Sequence, residues 1–324
     1  MSGPARVSLS EGSGGKEMHE LVAAIASRLP IGAWEHIGDD AASLLLDRKR
    51  LFLTTDSYVV SPHFFPGGNI GTLAFCGTVN DLSVMGAKPL GMSLALVIEE
   101  GFEKEKLFEI VDTIGRLSKK TGIPVVTGDT KVMERGSVDG IVITTSGMGL
   151  AERPLDIPLK PGDKLIVSGG IGEHGTALLA KRFGVETSVV TDSRPLWEEI
   201  DAVRGLIKQA KDVTRGGLAA VLNELAMRNT VAFTIDERKV PFHKEVRSLT
   251  ELLGIDAFSL ACEGRFVCAC AGKDADAVVK SLRRFNPSAA VIGEVVEGKG
   301  VTVQTGFGKR ILTMPSGLLV PRIC

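Results

Sequence analysis

The chain has 324 residues, of which 44% are hydrophobic and 24% are charged, so it can fold into two globular domains. Lys and Arg number 38 against 39 Asp and Glu, and aromatic residues account for 5%. The balanced charge argues against a nucleic acid or a membrane surface as a partner. The scarcity of aromatic residues argues against a base-stacking platform.

The N-terminal segment and the cysteines indicate the compartment. MSGPARVSLSEGSGGKEMHE is polar and lacks the apolar core of a signal peptide, and no apolar run approaches the ~18 residues of a membrane helix. The five cysteines have no framework of even spacings, which predicts a reduced, cytoplasmic protein. Cys268 and Cys270 lie in the apolar run RFVCACAG, where a buried packing role is favoured over a metal pair.

The first half alternates predicted strands and helices. The glycine loop SEGSGGK (10–16) precedes a helical pattern in EMHELVAAIASRL, and LFLTTDSYVV then predicts a strand. NIGTLAFCGTVNDLSVMGA has helical apolar spacing that stops at Gly86 and Pro89, and EKEKLFEIVDTIGRLSKKTG predicts an amphipathic helix that ends at Gly122. Further strands are predicted for LGMSLALVIEE, IPVVTGDT and DGIVITTSGMGL.

The pattern restarts at PLKPGDKLIVSGG, where turn residues precede a strand, a glycine turn and a helix from about Glu173. The second half continues with DVTRGGLAAVLNELAMRN, SLACEGRFVCACAG, DADAVVKSLRRF and AAVIGEVVEG. No periodic element is predicted from Pro315 onwards. We therefore predict one domain at 1–155, a second at 156–314 and a flexible tail at 315–324 that carries Cys324.

Aspartates recur at the ends of predicted elements, mostly in the first half. They lie in IGDDAA, TTDS, VNDL, TGDT and KDVTRGG, and the positions are Asp39, Asp40, Asp56, Asp81, Asp129 and Asp212. A capping or turn role would explain Asp39 and Asp129 easily. It explains Asp81 poorly, because that residue interrupts an apolar helix face where a carboxylate needs a partner.

Several carboxylates in one pocket would repel one another unless cations lay among them. Magnesium fits, because it takes oxygen ligands and usually bridges to substrate phosphates. Lys131, two residues after Asp129, would then complement a phosphate as a point charge. The chain has neither the phosphate-loop pattern GxxxxGK[ST] nor a dinucleotide fingerprint, so the residues predict Mg-nucleotide binding of another kind.

The motifs GDDAA, TTDS, NDLSVMGAKP, TGDTKV and DVTRGGLAAVLNE occur here in that order. In this order they resemble the family of ATP-using enzymes that contains aminoimidazole ribonucleotide synthetase, selenophosphate synthetase and thiamine monophosphate kinase. ACEGR and the terminal PRIC are similar to the members of that family that serve [NiFe]-hydrogenase maturation. This chain departs from the family pattern in its N-terminal glycine loop, where Glu11 stands in place of the expected His.

The resemblance implies a two-domain α/β (α+β) fold, in which the first domains of a homodimer form a β-barrel, with ATP and Mg²⁺ at the domain junction. It implies ATP-dependent dehydration of an S-carbamoyl group on the C-terminal cysteine to a thiocyanate, which supplies the cyanide ligand of the hydrogenase iron. The implied partners are the carbamoyltransferase HypF and the iron-carrying HypC–HypD complex. The implied nucleotide-binding residues are Asp40, Asp56, Asp81, Gly128, Asp129, Asp212 and Thr214, and the implied metal ligands are the five aspartates among them.

The implied reaction needs a base and a carrier. Glu263, in the apolar stretch LACEGRFV, is the predicted base, because burial would raise the pKa of its carboxyl. An ion pair with Arg265 is the alternative explanation of Glu263. The tail of about ten residues can extend roughly 33 Å, so Cys324 could visit a partner and return, and Arg322 could modestly favour its thiolate.

Three other readings compete with this prediction. Selenophosphate synthetase would need a reactive cysteine near the N-terminal glycine loop, whereas the first cysteine here is Cys76 in an apolar helix. Thiamine monophosphate kinase offers no reason for the terminal PRIC. A nucleotide-binding scaffold that presents its tail to partners would bind ATP without consuming it.

Overall fold

The computed structural model describes residues 11, 15–28, 33–36, 39–316 and 322–324. Its described strands form a five-stranded sheet, a seven-stranded sheet and a two-stranded hairpin. A helix, α1 (Lys16–Ala26), precedes the first sheet. In the described parts of the chain no helix is both long enough and apolar enough to cross a membrane.

The five-stranded sheet belongs to the first half of the chain. Its strands are β1 (Ala42–Leu46), β2 (Lys49–Tyr58), β5 (Lys88–Glu99), β6 (Val125–Met133) and β7 (Ile141–Ala151), in the order β1-β2-β7-β5-β6. β5 and β6 run parallel and the other neighbours run antiparallel. The short β3 (Phe64–Phe65) and β4 (Gly68–Asn69) form the hairpin. Because β6 is the last strand in the order of the five-stranded sheet, it is an edge strand within one chain.

Two helices cover this sheet, and the inner one connects the two halves of the molecule. α2 (Ile70–Val84) begins with a capping box between Asn69 and Thr72 and packs on β2 and β7, while α3 (Lys104–Thr121) packs outside it and ends at the left-handed Gly122. Every residue of α2 except Asp81 is buried. A helix that is apolar all round must be enclosed on all sides, and α2 contacts the second half of the chain as well.

The seven-stranded sheet belongs to the second half. Its strands are β8 (Lys164–Val167), β9 (Ile207–Asp212), β10 (Ala232–Asp236), β11 (Phe266–Cys270), β12 (Ala290–Val296), β13 (Gly300–Gln304) and β14 (Lys309–Leu312). Across the sheet they lie in the order β14-β13-β10-β12-β8-β11-β9. The helices are α4 (Glu173–Phe183), α5 (Trp197–Val203), α6 (Gly217–Asn229), α7 (Lys244–Leu253) and α8 (Ala275–Leu282).

Side chains of β11 alternate between two cores, as the period of a strand requires. Val267 and Ala269 join the core beneath α6, whereas Phe266, Cys268 and Cys270 join the core beneath α5 and α8. Both faces of the sheet are thus covered. The two cysteines of RFVCACAG are fully buried in an apolar cluster, as their packing interpretation predicted.

Candidate active site

Three aspartates from separate elements meet at the junction of the two halves. Asp40 immediately precedes the β1 region, Asp81 lies on α2, and Asp212 ends β9. Each offers a carboxylate oxygen within 4.8 Å of the others. They line a cavity of about 560 Å³ to which Asp56 and Thr214 also contribute. The structure therefore brings together five of the residues that the sequence singled out.

The acidic cluster is electrostatically unfavourable without a cation. Burial raises the pKa of Asp81 well above its usual value, and the charges of Asp56, Asp212 and Asp40 raise it further. Burial and Asp40 likewise raise the pKa of Asp212 to about 8, although Lys211 opposes the shift. The three carboxylates repel one another when all are ionised, and a bound cation would relieve this repulsion. Three oxygen donors at this spacing are suitable ligands for a divalent ion such as Mg²⁺.

Lys211 is the resident cation at one side of the cluster. Its ammonium group forms a short ion pair with Asp40 and lies 3.3 Å from Glu224. It neutralises part of the charge but leaves Asp81 without a cationic partner among the described residues. The remaining negative charge faces the cavity, where a metal ion would be placed.

β2 supplies the wall of the site through residues that share one face of the strand. Thr54, Asp56 and Tyr58 are spaced by two and so point the same way. The Thr54 hydroxyl donates to Asp81 at 2.7 Å, and the Tyr58 hydroxyl donates to Asp56 at 3.3 Å. Gly77 leaves the space that this tyrosine occupies, because a Cβ there would lie 2.1 Å from the Tyr58 hydroxyl oxygen.

Glu263 is buried in the loop before β11, and its Oε1 has no hydrogen-bond partner among the described residues. Burial raises the pKa of its carboxyl well above the usual value, and Asp212 and Asp192 raise it further. Its backbone is held firmly, since its N–H donates to Asp192 at 3.2 Å and its carbonyl accepts from Asn80 at 3.2 Å. Arg215 opposes this rise in pKa, and a buried carboxyl of this kind can act as a general base.

The ion-pair alternative for Glu263 is wrong. Arg265 instead bonds Glu173 at 2.6 Å, and it also donates to the carbonyls of Gly170 and Gly264. Its further ionic neighbour is Asp192, at 3.8 Å. Arg265 therefore braces the loop that carries Glu263 without neutralising the Glu263 carboxyl.

The C-terminal cysteine lies at this site. Residues 322–324 run along residues 59–61, because the N–H groups of Val59 and Ser61 donate to the carbonyls of Cys324 and Arg322, each at 3.2 Å. The Ile323 side chain is buried in a core formed by residues of both halves, and Cys324 packs half-buried against that core. Residues 317–321 lie outside the described residues, so the flexible tail at 315–324 stays a prediction.

The surroundings of the Cys324 thiol connect it to the rest of the site. Burial raises the pKa of the thiol to about 12, Arg215 opposes this shift, and Glu263, Asp56 and Asp212 reinforce it. The sulfur is therefore within electrostatic reach of both the predicted base and the acidic cluster. Arg322 does not take the role expected of it, since its guanidinium bonds Asp139 and the carbonyl of Val59.

Gly128, Asp129 and Lys131 lie away from this cluster within one chain. The pairings Asp56–Thr145, Thr145–Leu94 and Leu94–Gly128 place Gly128 three strand spacings from Asp56, or roughly 14 Å. Asp129 is exposed on β6 and its carboxylate lies 3.3 Å from the Lys131 ammonium. Packing also explains why residue 128 is a glycine, because a Cβ at this position would lie 2.2 Å from the Leu94 carbonyl oxygen. Their site roles stay predictions.

Sequence reasoning missed four residues that shape the site, namely Tyr58, Asp192, Lys211 and Arg215. Tyr58 could have been found, because it follows Asp56 by two positions in a strand. Arg215 and Lys211 flank Asp212 in the motif KDVTRGG, so their proximity to it was visible. Asp192 gave no local signal, since it reaches Glu263 from 71 residues away.

Two family models cover the halves of the chain and define its class. Residues 38–151 match the N-terminal domain of AIR synthase related proteins, and residues 160–306 match the C-terminal domain of the same family. The two-domain fold with a polar cavity at the junction therefore belongs to the AIR synthase-related class.

Closer relatives narrow this class to one family. The chain is 43% identical over 333 residues to the carbamoyl dehydratase HypE of Rhizobium leguminosarum bv. viciae, covering 98% of this chain and 95% of that protein. A crystal structure of a HypE–HypF complex matches with a TM-score of 0.85 and 39% identity, over 91% of this chain and 99% of that one. HypE in complex with ATP matches with a TM-score of 0.81 and 36% identity, over 98% and 100%. The chain belongs to the HypE family of carbamoyl dehydratases, which act in hydrogenase maturation.

Proposed function

We propose that this chain uses ATP to dehydrate an S-carbamoyl group on its own Cys324 to a thiocyanate, the source of the cyanide ligand of the [NiFe]-hydrogenase iron. The observation that carries the proposal is the position of the terminal cysteine. Its sulfur lies within electrostatic reach of Glu263, Arg215 and the acidic cluster, although 61 positions separate it from the first of these in sequence.

The residues present fit a Mg-nucleotide. Asp40, Asp81 and Asp212 would hold the metal, while Asp56 and Thr214 line the same cavity. ATP would supply the phosphoryl group that makes the carboxamide oxygen a leaving group, and the metal would offset charge on the phosphates. The crystal structure of a 36% identical HypE in complex with ATP supports ATP as the nucleotide.

The chain's own residues would handle the protons. Overall, Cys–S–C(=O)–NH₂ and ATP give Cys–S–C≡N, ADP, phosphate and one proton, so the nitrogen loses both of its hydrogens. Glu263 would accept one from nitrogen, and the other leaves with the departing phosphate. Because the pKa of Glu263 is raised, its carboxylate is a stronger base than an exposed one. Arg215, which lies near the sulfur and Glu263, would stabilise negative charge that develops there.

A homodimer would explain the remaining predicted residues. Val126 and Val132, on the edge strand β6, are 64% and 69% exposed, which leaves an apolar edge to cover. A second copy that pairs with this sheet would complete the barrel that the resemblance implies. Asp129 and Lys131 lie on that same strand and would then act at the dimeric site rather than within one chain.

The proposal requires two partners outside the dimer. HypF would deliver the carbamoyl group to Cys324, which the HypE–HypF complex supports by example. The HypC–HypD complex would receive the cyanide on its iron. Both exchanges need the thiol exposed, whereas dehydration needs the tail docked.

Intact mass spectrometry tests the proposal directly. Wild-type protein incubated with a carbamoyltransferase, carbamoyl phosphate and ATP should gain one carbamoyl group and then lose one water. Carbamoylated protein that has been separated from ATP should keep its carbamoyl group until ATP is added back. ATP binding without consumption, or carbamoylation without loss of water when ATP and Mg²⁺ are present, would favour a nucleotide-binding scaffold.

A further inference from the structure

The docked end of the tail is held by hydrogen bonds to its backbone, by the buried Ile323 side chain and by the Arg322 guanidinium. The carbonyls of the last three residues each accept a hydrogen bond from a group far away in sequence. Two of these donors are the N–H groups of Val59 and Ser61, which would pair with any extended segment. The other two are the side chains of His174 and Arg182, both on α4.

His174 is fully buried and donates from one fixed nitrogen. Its Nε2 lies 2.9 Å from the Ile323 carbonyl oxygen, which can only accept, so Nε2 carries the hydrogen. Its Nδ1 lies 2.9 Å from the Thr191 hydroxyl, which fixes the ring orientation. The Phe65 ring packs edge-on at 5.3 Å between centroids. The imidazole is thus held in place before the tail arrives.

Arg182 connects the tail to the segment it lies along. Its Nε donates to the Ser61 carbonyl at 2.6 Å, and another guanidinium nitrogen makes a short hydrogen bond to the Arg322 carbonyl. With Ser61, Pro62, Lys181 and Arg322 it lines a cavity of about 440 Å³ at the surface. Arg182 therefore lies at the open end of the docked tail, while His174 lies at the buried end.

None of these contacts involves the Cys324 side chain. Free, carbamoylated and cyanated tails would present the same three carbonyls, so the contacts hold the backbone whatever the sulfur carries. Carbamoyl transfer and cyanide delivery both require the thiol to leave this position. Docking and exposure of the thiol therefore compete, and the strength of the contacts that hold the tail sets the balance.

We propose that His174 and Arg182 form a latch that positions the C-terminal tail for dehydration and limits exposure of Cys324 to its partners. They are positioning residues, because they hold the tail backbone and touch neither the sulfur nor the acidic cluster. The role in dehydration rests on the proposed function, whereas the holding of the tail can be measured without it.

Reaction of Cys324 with a chromogenic disulfide reagent measures the latch in native protein. Cys76, Cys262, Cys268 and Cys270 are buried, so Cys324 should give the fast phase. Arg182→Gln should increase that rate about tenfold, because it removes a charged donor to a carbonyl. His174→Leu should increase it several-fold, and His174→Gln, which keeps a donor near the Nε2 position, should restore most of the difference.

Carbamoyl acceptance and dehydration should respond in opposite directions. The double variant of Arg182→Gln and His174→Leu should accept the carbamoyl group from HypF at least as fast as wild type. It should dehydrate the carbamoylated tail at least tenfold more slowly in a single turnover, because most tails are then undocked. Lys181→Gln is the matched control, since it removes a neighbouring exposed cation that makes no described contact with the tail.

Unchanged thiol reactivity in Arg182→Gln and His174→Leu would overturn the latch, as would equal losses of acceptance and dehydration in the double variant. If wild-type protein formed no thiocyanate, the proposed function would fail while the thiol measurement still decided whether the latch exists. A melting temperature within a few degrees of wild type for His174→Gln confirms that the helix α4 is intact in the comparison.

Discussion

Glu263→Gln separates the base from the carrier. The substitution keeps the size of the side chain and removes only its ability to accept a proton. The loop should stay in place, because Asp192 and Asn80 hold it through the backbone N–H and carbonyl of residue 263 and not through its carboxyl. Carbamoylation of Cys324 should proceed normally, since it needs the thiol and the partner enzyme.

The expected loss in the dehydration step is large. General base catalysis contributes about 10² to 10⁴ in rate, or roughly 3 to 5.5 kcal/mol of barrier. Glu263 should lie towards the upper end, because its Oε1 has no hydrogen-bond partner among the described residues to share the proton. The thermodynamic stability of Glu263→Gln should increase, in contrast to its activity. A raised carboxyl pKa makes ionisation oppose folding as pH rises above about 4.3, so the variant should gain stability relative to wild type towards neutral pH.

The assay follows intact mass over time after carbamoyl transfer in the presence of ATP. Glu263→Gln should accumulate the species with one added carbamoyl group, and the later loss of water should be slowed by at least a hundredfold. Glu263→Asp is a useful companion, because it keeps a base at a shorter reach. Thiocyanate formation by Glu263→Gln at the wild-type rate would refute the assignment of the base.

The remaining predictions concern the carrier and the acidic cluster. Cys324→Ala should lose carbamoyl acceptance but keep ATP binding by calorimetry, and loss of both in a folded variant would make the tail part of the pocket. Asp81→Asn should weaken Mg-dependent ATP turnover strongly. Asp129→Asn should weaken this turnover only in a dimer that brings β6 to the site. Wild-type Mg²⁺ dependence in both variants would indicate that Asp81 and Asp129 have structural roles. With the pKa of Asp212 near 8, stability without metal should fall as pH rises from about 4 towards 8, and Mg²⁺ should raise the melting temperature more at pH 8 than at pH 6.

Local signals in the sequence predicted the helices α2 and α3 and the strands β2, β5, β6 and β7, but not the helices α5 and α7. The α2 pattern was predicted to end by Gly86, and α3 was predicted to end at Gly122, which adopts the left-handed conformation that glycine favours there. Short strands such as β13 and β14 were missed, because they owe their pairing to partners elsewhere in the sheet. The polar pattern of β6 likewise gave no indication that the strand lies at an edge, since strand order is set by tertiary packing.

The residues of the candidate site were likewise predicted only in part. Asp40, Asp81 and Asp212 were found because aspartates recur in similar settings and because Asp81 interrupts an apolar helix face, and the structure brings the three together. Asp129 had an equally clear motif but lies on an exposed strand in one chain. A sequence motif shows which residues are candidates for a site. Whether their side chains meet in space depends on strand pairings such as that of Leu94 with Gly128.

The terminal cysteine shows why both kinds of information are needed. From the sequence, the argument for a carrier was reach, which requires a tail that moves. In the structure the last three residues are bound, with Ile323 in the core and its carbonyl bonded to a buried histidine 149 positions away. A carrier has to do both, because a thiol that never docks cannot be dehydrated and one that never leaves cannot be loaded. Contacts that do not involve the Cys324 side chain satisfy both conditions, since their strength does not depend on what the sulfur carries.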